Sequence, residues 1–316
     1  GIFISGLISS GLTLLLLAPV IIDEFRPAFN RALLRSMLRF SLPTVPAGLA
    51  LMALQVIDRP ILKALTDDAT VGVYQANYRL GIFMMIAVSI YDYAWKPFFF
   101  SHAADPDAKK LFSRVMTYLV LILTSLFMAF TFFVPDIARI GVAGGHFIHP
   151  RYWAGLGIVP VIMLGYLFLG VSTNLSAGLY IEKKTKYLPP VTMAGAALNI
   201  ALNYLLIPRF GIAGAAWSTF LAYVIMAGML YLVTRRVYPI AYEWNRLWKI
   251  SAVSGTLLLI SLFLPSATSY LTVASKFLLL LAFPVTLHLL GIFRAGEISE
   301  VKRVLGIRPG VPGSHS

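Results

Sequence analysis

The sequence predicts an all-α fold: a polytopic transmembrane helical bundle of about nine spans, one full six-helix lobe plus flanking helices. Three observations predict it. Of 316 residues, 59% are hydrophobic and 12% are charged, about half the charged share of ordinary soluble domains. The mean hydropathy is +0.81. Apolar stretches close to the ~20 residues that cross ~30 Å of hydrocarbon recur along the chain, separated by short polar segments. The net charge of +13 does not point to nucleic acid, because the cations lie between apolar segments, as loop charges of membrane proteins do. The absence of cysteine excludes disulfides, thiolate metal sites and cysteine nucleophiles.

Gly1–Val20 is the first apolar stretch, with Ser5, Ser9, Ser10 and Thr13 as its polar content. It lacks the basic start and small-residue cleavage site of a signal peptide, and no initiator methionine precedes it. The expectation is a chain that begins partway through a longer protein, with residues 1–20 the last helix of a truncated N-terminal lobe. In 21–40, Arg31, Arg35 and Arg39 recur every four residues, with Phe29, Leu33, Leu34, Met37 and Leu38 on the remaining surface. That pattern suits a cytoplasmic amphipathic linker helix at the headgroups; a solvated linker is the plainer alternative.

Residues 41–233 read as the six-helix lobe, with spans near 41–62, 73–100, 111–134, 156–181, 188–207 and 212–233. The first has Pro43 and Pro46 in its opening turns, where a missing N–H is tolerated, and Gln55, Asp58, Arg59 and Lys63 make its far end polar. The second pairs Gln75 with Arg79 near its start and Asp92 with Lys96 near its end. Thirteen residues separate Arg79 from Asp92, roughly 20 Å along a helix axis, so Asp92 lies deep. The loop 135–152 carries His146 and His149, too few ligands for a metal without a carboxylate at a useful spacing. The stretch 156–181, the fifth span of the chain, includes the polar patch Ser172, Thr173, Asn174 and Ser176. Lys186–Arg236 then forms an apolar helical hairpin turning at Pro208-Arg209-Phe210-Gly211, with Asn199 and Asn203 four apart on one face. Residues 234–249 make an aromatic-basic cytoplasmic loop, 250–293 two additional transmembrane helices near 250–264 and 277–293, and 294–316 a cytoplasmic tail.

Summed over alternate loops, 19 of the 26 Lys and Arg fall on one side and 7 on the other. The positive-inside rule puts the richer side, with the C-terminus, in the cytoplasm. Nine spans then leave Gly1 outside.

No Walker loop, GxSxG, HExxH or dinucleotide fingerprint occurs, and the acids do not form a deep carboxylate pair, so no enzyme is expected. Ionisable and amide groups within spans are the functional candidates: Asp58, Arg59, Arg79, Asp92, Lys96, Asn174, Asn199 and Asn203. Arg59, Arg79 and Lys96 lie near span ends, where snorkelling to the interface is the competing account. Asn199 and Asn203 have helix–helix bonding as theirs, and Asp92 has a local pair with Lys96.

Glu182-Lys183-Lys184-Thr185-Lys186-Tyr187-Leu188-Pro189, then Leu198-Asn199 and Leu202-Asn203, then Leu206-Ile207-Pro208-Arg209-Phe210-Gly211-Ile212 with Gly214-Ala215-Ala216 resemble the C-terminal half of the polysaccharide flippases. These are the Wzx-like O-antigen/lipopolysaccharide-exporter branch of the multidrug/oligosaccharidyl-lipid/polysaccharide superfamily. Weaker similarity attaches to Asp58-Arg59, to Trp95-Lys96-Pro97-Phe98, and to Leu167–Gly170 through Gly178–Tyr180. The resemblance implies a flippase moving an undecaprenyl-pyrophosphate-linked oligosaccharide across the bacterial or archaeal inner membrane by alternating access, with the eight candidates facing a central cavity. It implies a lipid-linked glycan as substrate, the bilayer as surroundings and other polysaccharide-assembly membrane proteins as partners. No cofactor is implied; coupling to H+ or Na+ through Asp58 or Asp92 stays open. A polytopic glycan polymerase or ligase, and a cation-coupled drug antiporter of the same superfamily, are the alternatives.

Overall fold

The computed structural model describes residues 2–24, 29–42, 44–142, 145–264 and 270–293. These residues form the all-α bundle that the sequence predicts, interrupted only by connectors, 3-10 turns and one two-residue ladder, Gly141–Val142 against Gly145–His146. The chain forms two units, Gly1–Leu42 and Pro43–Ser316. In the first, α1 (Ile2–Glu24) is apolar and α2 (Arg31–Ser41) carries the arginine-rich face. Asn30 caps α2 through its side-chain oxygen, which accepts from the backbone N–H groups of Ala32 and Leu33 at 3.0 Å each. Residues 25–28 of the expected linker lie outside the described residues.

The second unit departs from the expected spans at two helix breaks. In place of one span over 41–62 there are α3 (Thr44–Val56) and α4 (Asp58–Leu65). Pro60 has no N–H for the Val56 carbonyl, and its ring crowds that carbonyl, so the ladder stops and restarts one residue on. In place of one span over 73–100 there are α5 (Asp68–Tyr78), a 3-10 turn at Arg79–Gly81, and α6 (Ile82–His102). At Gly81 an added Cβ would stand 2.7 Å from Ile162, so the turn nests against the next layer only because that position is glycine.

Further on, α7 (Ala108–Arg139) outruns its expected span at both ends and takes Pro135 inside the helix, which shortens the expected loop 135–152. A 3-10 stretch at Pro150–Ile158 leads into α8 (Val159–Ile181). The hairpin helices are α9 (Leu188–Phe210) and α10 (Ile212–Val237), so the four-residue turn contracts to Gly211, whose φ of +55° suits glycine. Two more helices follow, α11 (Trp244–Ser261) and α12 (Tyr270–Leu289). The expected tail 294–316 lies outside the described residues.

Seven stretches among the described residues are long and apolar enough to cross a membrane. The two expected spans not among them correspond to α6 and α11. Asp92 and Lys96 interrupt the apolar run of α6, and α11 spends its first turns on Asn245, Arg246 and Lys249. The helices α6 and α11, which stand where the other two of the nine expected spans fall, are more polar members of the same bundle.

α8 is the central helix of the second unit. It packs against α6, α7 and α10; α10 packs on α9, and α9 carries α3. Between α10 and α11 runs a strap, residues 238–243, whose Tyr238, Ile240 and Tyr242 are buried while their neighbours face out. The Ala241 carbonyl accepts from Ser113 at 2.8 Å, and the Glu243 carboxylate accepts from Thr117 and Arg246, both at 2.8 Å. The loop expected over 234–249 is thus a fitted connector followed by the start of a helix. Outward surfaces are apolar, with Ile90, Leu205, Leu259, Leu278 and Leu281 exposed. Water would not tolerate such a shell on a monomer, whereas lipid does. The protein is a multi-pass membrane protein.

One ion pair ties α12 to α7: the Lys276 ammonium stands 2.5 Å from the Asp136 carboxylate, each side chain about one-sixth exposed. Removing one partner strands the other among apolar groups and should destabilise by about 1–3 kcal/mol. Lys276→Met and Asp136→Leu should each lower the thermal unfolding midpoint, and the double substitution should regain most of the loss. Additive losses in that cycle would show that the pair does not couple the helices.

Candidate functional site

A cavity of about 750 Å³ opens among α3, α6, α8, α9 and α10, within the size range of ligand sites. Its wall follows from helical spacing. Ser89, Asp92, Tyr93 and Lys96 fall at i, i+3, i+4 and i+7 on α6, one continuous face. α8 adds Ser172, Thr173, Ser176 and Tyr180, α9 adds Thr192, and Thr44 lies at the start of α3. Leu51, Val88, Leu169, Met226 and Leu230 supply apolar wall.

Four of the lining hydroxyls share one property. Ser172 donates to the Phe168 carbonyl at 2.9 Å, Thr173 to Leu169 at 3.1 Å, Ser176 to Thr173 at 2.8 Å and Thr192 to Leu188 at 3.1 Å. Each proton is committed to its own helix, so the oxygen lone pairs are what these groups offer the cavity. Pro97, also in the lining, has no N–H to give the Tyr93 carbonyl one turn back. The cavity is rich in acceptors.

Its charges are one of each sign. Lys96 donates to Asp92 at 2.7 Å, and the two side chains are 52% and 37% exposed. An open i,i+4 pair of this kind contributes roughly 0.2–1 kcal/mol, so a ligand anion can displace the carboxylate from the ammonium at little expense.

The other sequence candidates lie elsewhere. Asn174 is buried behind the wall and donates to the Tyr91 hydroxyl at 2.6 Å. Asn199 and Asn203 are fully buried at the α9–α10 contact and do not line the cavity. Asn203 donates to both the backbone and side-chain oxygens of Asn199, at 2.9 and 3.0 Å, and Asn199 donates to Thr219 at 3.3 Å. The shared face was legible; its partner is protein.

Asp58 and Arg59 sit at the α3–α4 break. The Asp58 carboxylate is fully buried and accepts from the Tyr74 hydroxyl and from the Arg59 backbone N–H, the latter at 2.9 Å. The Arg59 guanidinium lies 4.9 Å over the Tyr78 ring, and Tyr78 accepts from the Tyr166 hydroxyl at 2.8 Å. This tyrosine-walled cluster is separate from the cavity. Arg79 is exposed on the 3-10 turn before α6. The expectation that all eight residues face one cavity is therefore corrected: the structure brings Asp92 and Lys96 into it. Four-residue pairing on helices does not say which way a face points, and the helix breaks turn Asp58 and Arg59 inward to α5.

Sequence reasoning missed Ser89, Tyr93, Tyr180, Thr192 and Thr44 as cavity residues. The i, i+3, i+4, i+7 stripe on α6 was the signal that could have found the first two. In the connector after α7, His149 caps the following turn by accepting from the Arg151 N–H at 3.3 Å, and His146 meets Trp153 edge to face. Among the described residues no group of three or more His, Cys, Asp or Glu is placed to hold a metal ion.

No family model matches the chain. Over 119 residues the chain is 30% identical to a membrane protein of Methanocaldococcus jannaschii described as uncharacterized, a match that takes in 36% of this chain and 21% of that protein. The chain thus spans about a fifth of the length of the curated relative it matches.

Tyr74→Phe removes the hydroxyl donor to a buried carboxylate and should destabilise the protein by about 1–3 kcal/mol. Tyr93→Phe, at a side chain 85% exposed, should leave stability within about 0.5 kcal/mol of wild type. Thermal unfolding in one detergent checks both; equal midpoints for the two variants would remove the Asp58–Tyr74 bond from the account.

Proposed function

We propose that this protein translocates a lipid-linked oligosaccharide across the plasma membrane, with the cavity of α3, α6, α8, α9 and α10 as the site that receives it from the cytoplasmic side. The observation that carries the reading is the acceptor-rich cavity wall around a single exchangeable ion pair. A glycan brings many hydroxyl donors, and a wall of hydroxyl oxygens with their lone pairs turned inward accepts them. A pyrophosphate link brings negative charge, for which Lys96 is the cation at hand.

Two supports bear on the direction of access, and a third on the substrate class. The lining residues of α8, α9 and α10 lie toward the ends of those helices that meet Lys183–Lys186 and Arg235–Arg236, while those of α6 lie about its middle. That is the basic side, cytoplasmic by the positive-inside rule. The resemblance to polysaccharide flippases rests on the same hairpin, α9 and α10, that forms one wall.

The step follows from the charges. A ligand phosphate takes the Lys96 ammonium from Asp92 and forms a charge-assisted hydrogen bond. Asp92 is then left in the cavity without its cation and takes up H+ or Na+ as counter-charge. Substrate entry and cation entry are thereby linked at one helical turn of α6. A cation-coupled drug antiporter would be favoured by a net acidic cavity; the described lining has one acid and one base. A glycan polymerase would need acceptor-activating groups beside a reactive base, and four of the lining hydroxyls, Ser172, Thr173, Ser176 and Thr192, have their protons engaged by their own helices.

The test is complementation of a flippase-deficient strain, read as surface glycan with membrane expression held equal. Lys96→Gln should reduce export by about tenfold or more, the loss of one charged hydrogen bond, while Lys96→Arg should retain most of it. Asp92→Asn should preserve glycan binding and abolish dependence on the coupling cation. A fully active Asp92→Asn, Lys96→Gln double variant would sink the assignment.

A further inference from the structure

A second concavity, about 400 Å³, lies at the basic end of the α9–α10 hairpin and is lined by Tyr187, Met229, Leu232, Val233, Arg236 and Val237. None of these residues lines the larger cavity. Its volume falls within the range of ligand sites, whereas an ordinary lipid-facing helix presents a convex surface that holds no particular lipid.

The trough has an apolar length and a charged mouth. Met229, Leu232, Val233 and Val237 run along α10 for about two turns, with Leu232 54% exposed. Arg236 stands in the lining itself. The Lys186 ammonium lies 5.4 Å over the ring of Tyr187, which holds a second positive charge at the rim. Neither cation belongs to an ion pair among the described residues. An acyl chain suits the first part and a phosphate the second. A headgroup carrying its own ammonium would bring that charge against Lys186 and Arg236, so a net anionic head fits better.

We propose that this trough binds an anionic glycerophospholipid of the leaflet that meets the basic ends of the spans. The acyl chain lies along Met229, Leu232, Val233 and Val237, and the phosphate sits between Arg236 and Lys186. Juxtamembrane cations attract anionic lipid about fivefold each, which sets the expected preference near tenfold or above for two. Because Met226 and Leu230 of the same helix face the transport cavity, the lipid holds one cavity wall from behind.

The experiment uses the full chain, purified in mild detergent, delipidated, and titrated separately with phosphatidylglycerol and phosphatidylcholine. Bound lipid is counted by native mass spectrometry. Wild type should retain phosphatidylglycerol at least about tenfold better than phosphatidylcholine. Lys186→Gln with Arg236→Gln should reduce that preference to about twofold or less, and Arg236→Lys alone should keep it. Leu232→Trp, which fills the trough, should weaken retention of both lipids. Lys183→Gln with Lys184→Gln removes the same charge beside the trough and should leave the preference intact, which also controls for folding. Equal retention of the two lipids by wild type would overturn the proposal, and so would an equal loss in the Lys183, Lys184 control, since surface charge alone would then explain it. Stoichiometric displacement of phosphatidylglycerol by a polyprenyl pyrophosphate would likewise overturn it, by making the trough part of the substrate path.

Discussion

A polar group placed in hydrocarbon must find its partner within the protein, and in this chain the partner is most often its own helix. Ser172, Thr173 and Thr192 give their protons to carbonyls four residues back, Ser176 to one three back, and Asn203 bonds back to Asn199. Such bonds satisfy a donor without help from a second helix. Their by-product is directional. The proton faces the helix, the lone pairs face outward, and where several such residues share a concave face they turn acceptors toward it.

The same constraint separates dry polar sites from the wet one. Asp58 is fully buried, and a hydroxyl and a backbone N–H meet its carboxylate. The helix break at Ile57 makes that possible, because it starts α4 with a carboxylate turned toward α5 in place of continuing α3. Asn174 finds Tyr91, and Asn199 finds Thr219. Among the described residues Asp92 and Lys96 pair with each other, half-exposed at the cavity, and remain open to exchange with a ligand. Burial therefore sorts the candidates better than residue type does.

The sequence made the helices legible and the breaks less so. Apolar length located the hairpin α9–α10 within a few residues, since Gly211 with its positive φ was in plain view. Pro60 was equally visible, yet it lies three residues into a new helix, where proline is tolerated, and not at the break it causes. The break at Arg79–Gly81 depends on the close approach of Ile162, a contact 81 residues away that no local pattern encodes. At the site, the polar patch of α8 and the Asp92–Lys96 pair were readable from spacing. Which amides faced protein and which faced the cavity depended on the rotation of each helix about its axis, fixed by α8 packing against three neighbours.

On the proposed function, α6 and α8 wall a water-filled cavity entered from the basic, cytoplasmic side. With no native cysteine, a single cysteine at Ser176 reports on it directly. In inside-out membrane vesicles, Ser176→Cys should react with an impermeant thiol reagent, while in intact cells it should be protected. Leu259→Cys, on the apolar outer surface of α11, should stay unreactive in both preparations. A Ser176 cysteine as inert as the Leu259 control from both sides, or labelled only from outside, would contradict the cavity and the direction from which it is entered.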